Sequence, residues 1–225
     1  MTTFHLADTG VTRDVRIQEL IIAGWAGREQ AGIDEHIEEL KALGVRPPSA
    51  TPLFYRVAAS QLTTAPEIQV LGDQSSGEVE VVLIGTDEGT LVAIGSDHTD
   101  REAEAWSVAH SKQVCAKPVG SQTWWLRDII GHWDQLQMTA HATIDDREVL
   151  YQQGSVTGLL HPVDLLRRFG LDSPELAPGQ AMLCGTLPVI GGVRAAQAFR
   201  MELSDPVTGR TLRHQYRIQS LPVVL

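Results

Sequence analysis

The sequence predicts a mainly β protein with a few short helices, an α+β fold, and three observations carry that reading. Leu136, Met138, Ala140, Ala142 and Ile144 alternate with Gln137, Thr139, His141 and Thr143, the period of a strand buried on one face. Two apolar runs, Val79 to Ile84 and Leu91 to Ile94, flank the turn signal Thr86-Asp87-Glu88-Gly89 and read as a hairpin. Near the C-terminus, Phe199, Met201 and Leu203 face Leu212, His214, Tyr216 and Ile218 across Asp205 to Gly209, again at period two.

The remaining elements follow in order. Arg16 to Ala23 alternates weakly and then runs apolar into Gly24, a strand. Gly27 to Gly44 reads as a helix, because Ile33, Ile37, Leu40 and Leu43 sit at helical spacing and Gly44 offers a stop. Pro47-Pro48 forces an extended segment into Leu53-Phe54-Tyr55. Asp100 to Lys112 reads as a short helix, while Trp124-Trp125 carries no clear signal. Asp145-Asp146 turns the long strand toward Val149 to Gln153; His161 to Phe169 is a short helix and Ala181 to Cys184 a strand. No repeat, low-complexity tract or linker divides the chain. The expectation is a single domain, 1–225, with an N-terminal strand and helical lid-like arm over 1–50 and a β-rich core over 51–225.

At 225 residues the chain is long enough to bury a substantial core, and 43% hydrophobic with 20% charged residues is ordinary globular composition. Eighteen Lys and Arg against 28 Asp and Glu give a net charge of −10. No basic run is present to neutralise phosphates, so nucleic acid is disfavoured as a partner. The apolar stretch Leu20 to Ala23 is too short for a signal core or a membrane span. The two cysteines, Cys115 and Cys184, form no paired motif and have no base near them in sequence, so they read as packing residues. Together these features predict a soluble, cytoplasmic protein.

The sharpest chemical feature is Glu78-Val79-Glu80 at the mouth of the first hairpin strand. Residues two apart on a strand share a face. If the hairpin closes around Asp87-Glu88, Glu80 faces Gly95 and Glu78 faces Asp97, which puts Glu78, Glu80 and Asp97 on one side with Cβ atoms of the opposed pair about 5 Å apart. Three anions so close repel one another, so at least one is protonated or the group binds a cation. A hard ion such as Mg²⁺ or Mn²⁺ suits three carboxylates. On spacing alone the same acids also read as the solvated fringe of a strand end, since a slip of one residue moves Asp97 to the other face.

The stretch from Glu78 to Gly85 resembles the Glu-x-Glu strand of the fumarylacetoacetate hydrolase superfamily. Several further segments are similar to that family in the same order. Gly24-Trp25 followed by His36-Ile37-Glu38-Glu39 resembles its lid, and Gly95-Ser96-Asp97-His98-Thr99-Asp100-Arg101-Glu102 its metal-binding Asp segment. Ser111-Lys112 stands at its active-site lysine. Gln152-Gln153-Gly154 matches its Gln-x-Gly segment, and Leu176 to Gln180 with Cys184-Gly185-Thr186-Leu187-Pro188 its late strand and loop. The resemblance spans about Gly24 to Gly192 and looks closest to a poorly characterised bacterial branch. The chain departs from the pattern in a shorter loop between Glu80 and Asp97, in Glu104 where a Gln often stands, in Gln113-Val114-Cys115 after the lysine, and in a lid without its Asn-Tyr.

The resemblance implies a β-rich roll that commonly forms homodimers and a divalent ion, Mg²⁺ or Mn²⁺, held by Glu78, Glu80 and Asp97. That ion would polarise the 2-oxo group of a small 2-oxo or sugar acid as a Lewis acid. The preferred activity is hydrolytic C–C cleavage of an acylpyruvate-like compound. Decarboxylation, isomerisation and sugar-acid dehydration or hydration are alternatives on the same scaffold, as is a silent metabolite binder. Lys112 would place positive charge beside the developing oxyanion, unless it is an exposed helix-end lysine. His36 and Glu39, three apart on a helix, could pair to activate water; the competing reading is a solvated acidic face. Arg56, Glu104, Gly185 and Thr186 are the expected substrate contacts, Gly185 and Thr186 through a backbone N–H and a hydroxyl. Against these stand a surface arginine and a plain strand-to-loop turn. His98, next to a ligand but on the opposite strand face, reads as structural, as do His132, His141, His161 and His214.

Overall fold

The computed structural model describes residues 1–42 and 47–224, and within the helix Gln30–Ala42 it leaves out the side chains of Glu35, His36, Glu39, Leu40 and Ala42. Strands dominate. An eight-stranded sheet runs in the order Thr12–Val15, Thr2–Leu6, Gln122–Trp125, Gly89–Ser96, Val79–Thr86, Gln180–Thr186, Glu19–Gly24, Leu53–Val57. A five-stranded sheet runs Arg147–Ser155, Gln137–Ile144, Ala198–Asp205, Arg210–Leu221, Glu67–Leu71. Two short pairs, Ser75–Ser76 with Thr99–Asp100 and Leu62–Thr63 with Lys117–Pro118, sit beside the larger sheet's central hairpin.

Alternation decides which residues each face contributes. On the central hairpin Val79, Val81, Leu83, Val92 and Ile94 point toward the five-stranded sheet, where they meet Met138, Ala140, Phe199, Met201, Leu203 and Tyr216 in the main core. Val82, Ile84, Leu91 and Ala93 point the other way into a second core. The strands at the two edges of the same sheet complete that core, with Phe4, Leu6 and Val15 from one edge and Leu20, Ile22 and Val57 from the other. The large sheet therefore carries apolar side chains on both faces, which explains why its central strands read as continuous apolar runs.

The hairpin register is the expected one: Val79 pairs with Ser96, Glu80 with Gly95 and Ile84 with Leu91. The C-terminal hairpin also keeps its predicted register, Phe199 opposite Tyr216 and Leu203 opposite Leu212. Other elements differ from expectation. Thr2–Leu6 and Thr12–Val15 are strands although their composition is polar, and Trp124-Trp125 lies in a strand paired with Leu91 and Val92. The first 24 residues thus supply three strands of the large sheet. The expected helix from Gly27 begins at Gln30, because Gly27 is bridged to Leu159, and its expected stop at Gly44 lies outside the described residues. The helix expected over Asp100 to Lys112 is two: Arg101–Glu104 and Val108–Gln113, the second restarted by Ser107, whose hydroxyl accepts from the His110 N–H. No helix among the described residues is long and apolar enough to cross a membrane.

Candidate active site

Glu78 and Glu80 lie where the first hairpin strand begins, and Asp97 follows the end of the second, so all three gather at the hairpin end remote from the turn. The Asp97 N–H donates to the Glu78 carbonyl at 3.0 Å, extending the register by one step. Glu80 shares the face of Val82 and Ile84. One carboxylate oxygen from each of the three acids lies within 4.8 Å of the other two, and both Glu80 and Asp97 are buried.

Three cations surround them. Arg101 reaches Glu78 Oε1 at 2.9 Å, Glu104 at 2.7 Å and the Ser76 hydroxyl at 2.7 Å. Lys112 Nζ donates to Asp97 Oδ2 and stands 3.8 Å from Glu78 Oε2. Lys117 Nζ lies 3.0 Å from Asp97 Oδ1 and donates to the His98 carbonyl. Glu80 instead accepts the Gly185 N–H at 2.7 Å. Burial alone would raise the Asp97 carboxyl, but the two ammonium groups outweigh it and hold that carboxyl down at about 2. Burial, reinforced by the charges of Asp97 and Glu78, pushes Glu80 well above the ordinary carboxylate range despite Lys112 and the Gly185 N–H. Burial opposes the charge on Lys112 too, yet Asp97 and Glu78 raise its pKa on balance.

The donor set fits a hard divalent cation. All three groups offer oxygen, and Asp97 Oδ1 is buried without a hydrogen bond, its ion pair with Lys117 lacking hydrogen-bond geometry. A cation between the acids would also relieve the repulsion that now favours the proton on Glu80.

Underneath, Gln152 ties three elements together. Its Oε1 accepts the Val79 N–H at 2.9 Å, and its Nε2 donates to Thr186 Oγ1 at 2.8 Å and to the Leu187 carbonyl at 2.5 Å. His98 points away from the acids and bonds Tyr216 at 3.0 Å and Ser75 at 2.9 Å; burial drops its pKa to about 3, so it is neutral. The structural reading of His98 holds. Cys115 and Cys184 are buried free thiols, with burial pushing Cys115 up to about 11.

The expected site residues fare unevenly. Glu78, Glu80, Asp97 and Lys112 come together, and Lys112 is buried rather than an exposed helix-end lysine. Glu104 joins through Arg101. Arg56 is not brought to the acids: it alternates with Tyr55, pairs with Glu19 at 3.0 Å, and shares the face of Phe54 and Ile21. Gly185 and Thr186 lie beside the acids. The Gly185 N–H donates to Glu80, and the Thr186 hydroxyl donates to the Val79 carbonyl at 2.9 Å, so both brace the strand that carries the acids. The side chains of His36 and Glu39 lie outside the described residues.

Gln152 stands in the sequence only as the start of the Gln-x-Gly segment with no role attached, and two further contributors, Tyr55 and Lys117, escape a reading of local pattern. Tyr55 lies on the face of Ile22, its ring 5.8 Å from Lys112 Nζ and its hydroxyl accepting from Trp25 Nε1 at 3.3 Å. For Lys117 a signal did exist. Of 18 Lys and Arg residues only Lys41, Lys112 and Lys117 are lysines, so a second lysine five positions beyond the first is conspicuous.

Comparison with known proteins adds the following. A family model described as "Protein of unknown function (DUF2848)" matches residues 23–216. No curated protein shows significant sequence similarity. Among solved structures, a protein provisionally described as a fumarylacetoacetate isomerase/hydrolase from Oleispira antarctica superposes with a TM-score of 0.67 at 19% identity, covering 97% of this chain and 100% of its own. A 2-keto-3-deoxyarabinonate dehydratase superposes at 0.65 and 15% identity, covering 98% and 79%. A 5-carboxymethyl-2-hydroxymuconate delta-isomerase from Mycobacterium smegmatis gives 0.63 and 15%, covering 95% and 84%. At such identities these likenesses establish the β-rich fumarylacetoacetate hydrolase-like fold; the three named activities differ.

Proposed function

Since the chain belongs to the family described as protein of unknown function (DUF2848) and has the fumarylacetoacetate hydrolase-like fold, we propose that it is a divalent-metal-dependent enzyme acting on a small 2-oxo acid. The convergence of Glu78, Glu80 and Asp97 within 4.8 Å, beside a buried Lys112, is the observation that carries this reading. Mg²⁺ or Mn²⁺ held by those carboxylates would supply Lewis-acid polarisation of a substrate carbonyl.

The chain's own residues do the rest. Glu80 is oriented by Gly185, and Asp97 is kept ionised by its two lysines. Lys112 provides positive charge at the edge of the acidic group, where an oxyanion developing on the substrate would be stabilised. Glu104 and Arg101 form the neighbouring wall, so substrate selection falls partly to this pair. For the reaction we favour hydrolytic cleavage of an acylpyruvate-like C–C bond, with His36 as base toward water and Glu39 orienting it. Decarboxylation, isomerisation or dehydration would use the same acids without that base. A homodimer belongs to the same proposal and is tested by sedimentation equilibrium.

The decisive test is Mn²⁺ binding followed by electron paramagnetic resonance, with and without oxalate as a stand-in for an enolised 2-oxo acid. Specific binding that oxalate tightens, and that Glu80→Ala weakens by at least about a hundredfold with the fold retained, supports the metal reading. No specific signal from the wild type overturns it and favours a silent metabolite binder. His36→Ala then separates the reactions: loss of turnover with Mn²⁺ binding kept supports water activation, and retained turnover points to decarboxylation.

A further inference from the structure

Asp97 is gripped from both sides by ammonium groups, and the two grips differ. Lys117 is fully buried, and its backbone is held on two sides. Lys117-Pro118 pairs with Leu62-Thr63, the Val119 N–H donates to Thr63, and the Gly120 N–H donates to Ile94. Its Nζ donates to the His98 carbonyl and forms an ion pair with Asp97 Oδ1 at 3.0 Å. Lys112 stands on the six-residue helix Val108–Gln113, and its Nζ lies among Asp97 Oδ2, Glu78 Oε2 and the Tyr55 ring at 5.8 Å. It thus has alternatives to Asp97, and it stands against an oxygen of two of the three acids, Asp97 Oδ2 and Glu78 Oε2.

We propose that Lys117 is the permanent counter-ion of Asp97 and a positioning residue for it, whereas Lys112 is a displaceable one that leaves Asp97 Oδ2 when a divalent cation binds. This rests on the metal reading above. A cation held by Asp97 and Glu78 would share those carboxylates with Lys112, and two positive charges on the same buried carboxylates would repel strongly. Lys117 is fully buried and anchored on the His98 carbonyl, so Lys112 yields. Its free ammonium group then turns toward the Tyr55 ring. Cation binding would therefore release the very charge that the chemistry needs, and a substrate anion would meet Lys112 only in the loaded protein.

The chain's three lysines make this directly observable. In protein labelled with ¹⁵N-lysine, three side-chain nitrogen signals are expected, and Lys41→Arg identifies the surface one. Titration with MgCl₂ should shift the Lys112 signal and speed its hydrogen exchange, while the Lys117 signal stays in place. A Lys112→Met variant should bind Mn²⁺ at least about tenfold more tightly than the wild type, because a competing cation is gone. The inference is overturned if Mn²⁺ binds specifically but the Lys112 signal does not respond to Mg²⁺, if Lys117 moves instead, or if Lys112→Met loses Mn²⁺ affinity. Absence of specific Mn²⁺ binding to the wild type is a different result: it removes the metal reading itself, and this proposal with it.

Discussion

Gly185 stands in the left-handed region at φ +98°, and from there its N–H reaches Glu80. An alanine there would sit in a conformation costing an L-residue about 1–2 kcal/mol, with its Cβ 3.1 Å from Ala26. Gly185→Ala should therefore lower the urea midpoint and, by shifting the N–H, weaken Mn²⁺ binding about tenfold. Unchanged Mn²⁺ affinity would show that Glu80 does not depend on Gly185. Gln152 is a second single-residue dependency. Gln152→Leu leaves the Val79 N–H and the Leu187 carbonyl buried without a partner, at about 1–3 kcal/mol for each unpaired group, and equilibrium denaturation reads the loss. Neither role was legible in advance. Gly185 and Glu80 are 105 positions apart, and Gln152 and Val79 are 73 apart, so no local spacing connects them.

Among the elements, the hairpin Ala198–Asp205 and Arg210–Leu221 is locked at its turn by Asp205. That carboxylate accepts from the Val207 N–H at 3.0 Å, the Thr208 hydroxyl at 2.5 Å and His132 Nε2 at 3.0 Å. Burial would raise its pKa, but these donors outweigh it and bring the carboxyl down from 3.8 to about 2. A depressed native pKa means that the unfolded state binds more protons below pH 3.8. The contribution of Asp205 is therefore fully present above that value and is lost as pH falls toward about 2. Asp205→Asn should be less stable at neutral pH and show a flatter decline in urea midpoint between about pH 4 and pH 2; parallel curves would rule the role out. The hairpin itself was readable because alternation and a short turn together set its register. The split helix over Asp100 to Lys112 was not: the same residues suit one helix or two, and the Ser107 cap decides.

At the scale of the whole molecule, the central hairpin belongs to both cores, with Val81 and Leu83 on one side and Val82 and Ile84 on the other. Leu83→Ala should cost about 2–5 kcal/mol, and tryptophan fluorescence and far-ultraviolet circular dichroism should still report a single coincident transition. Separate transitions would mean that the two sheets unfold independently. Period-two alternation in the sequence by itself determined the β-rich fold, and with turns placed at Asp87-Glu88 and over Asp205 to Gly209 it implied both hairpin registers; the meeting of Glu78, Glu80 and Asp97 stayed open against a one-residue slip until the fold fixed that register. Only the tertiary structure decided that Arg56 is not brought to the acids, that Gly185 serves Glu80, and that Lys117 shares Asp97 with Lys112. The physical reason is range: alternation fixes relations between strand neighbours, whereas the partners of a buried charge come from whatever segments the packing of the sheets and short strands brings beside it.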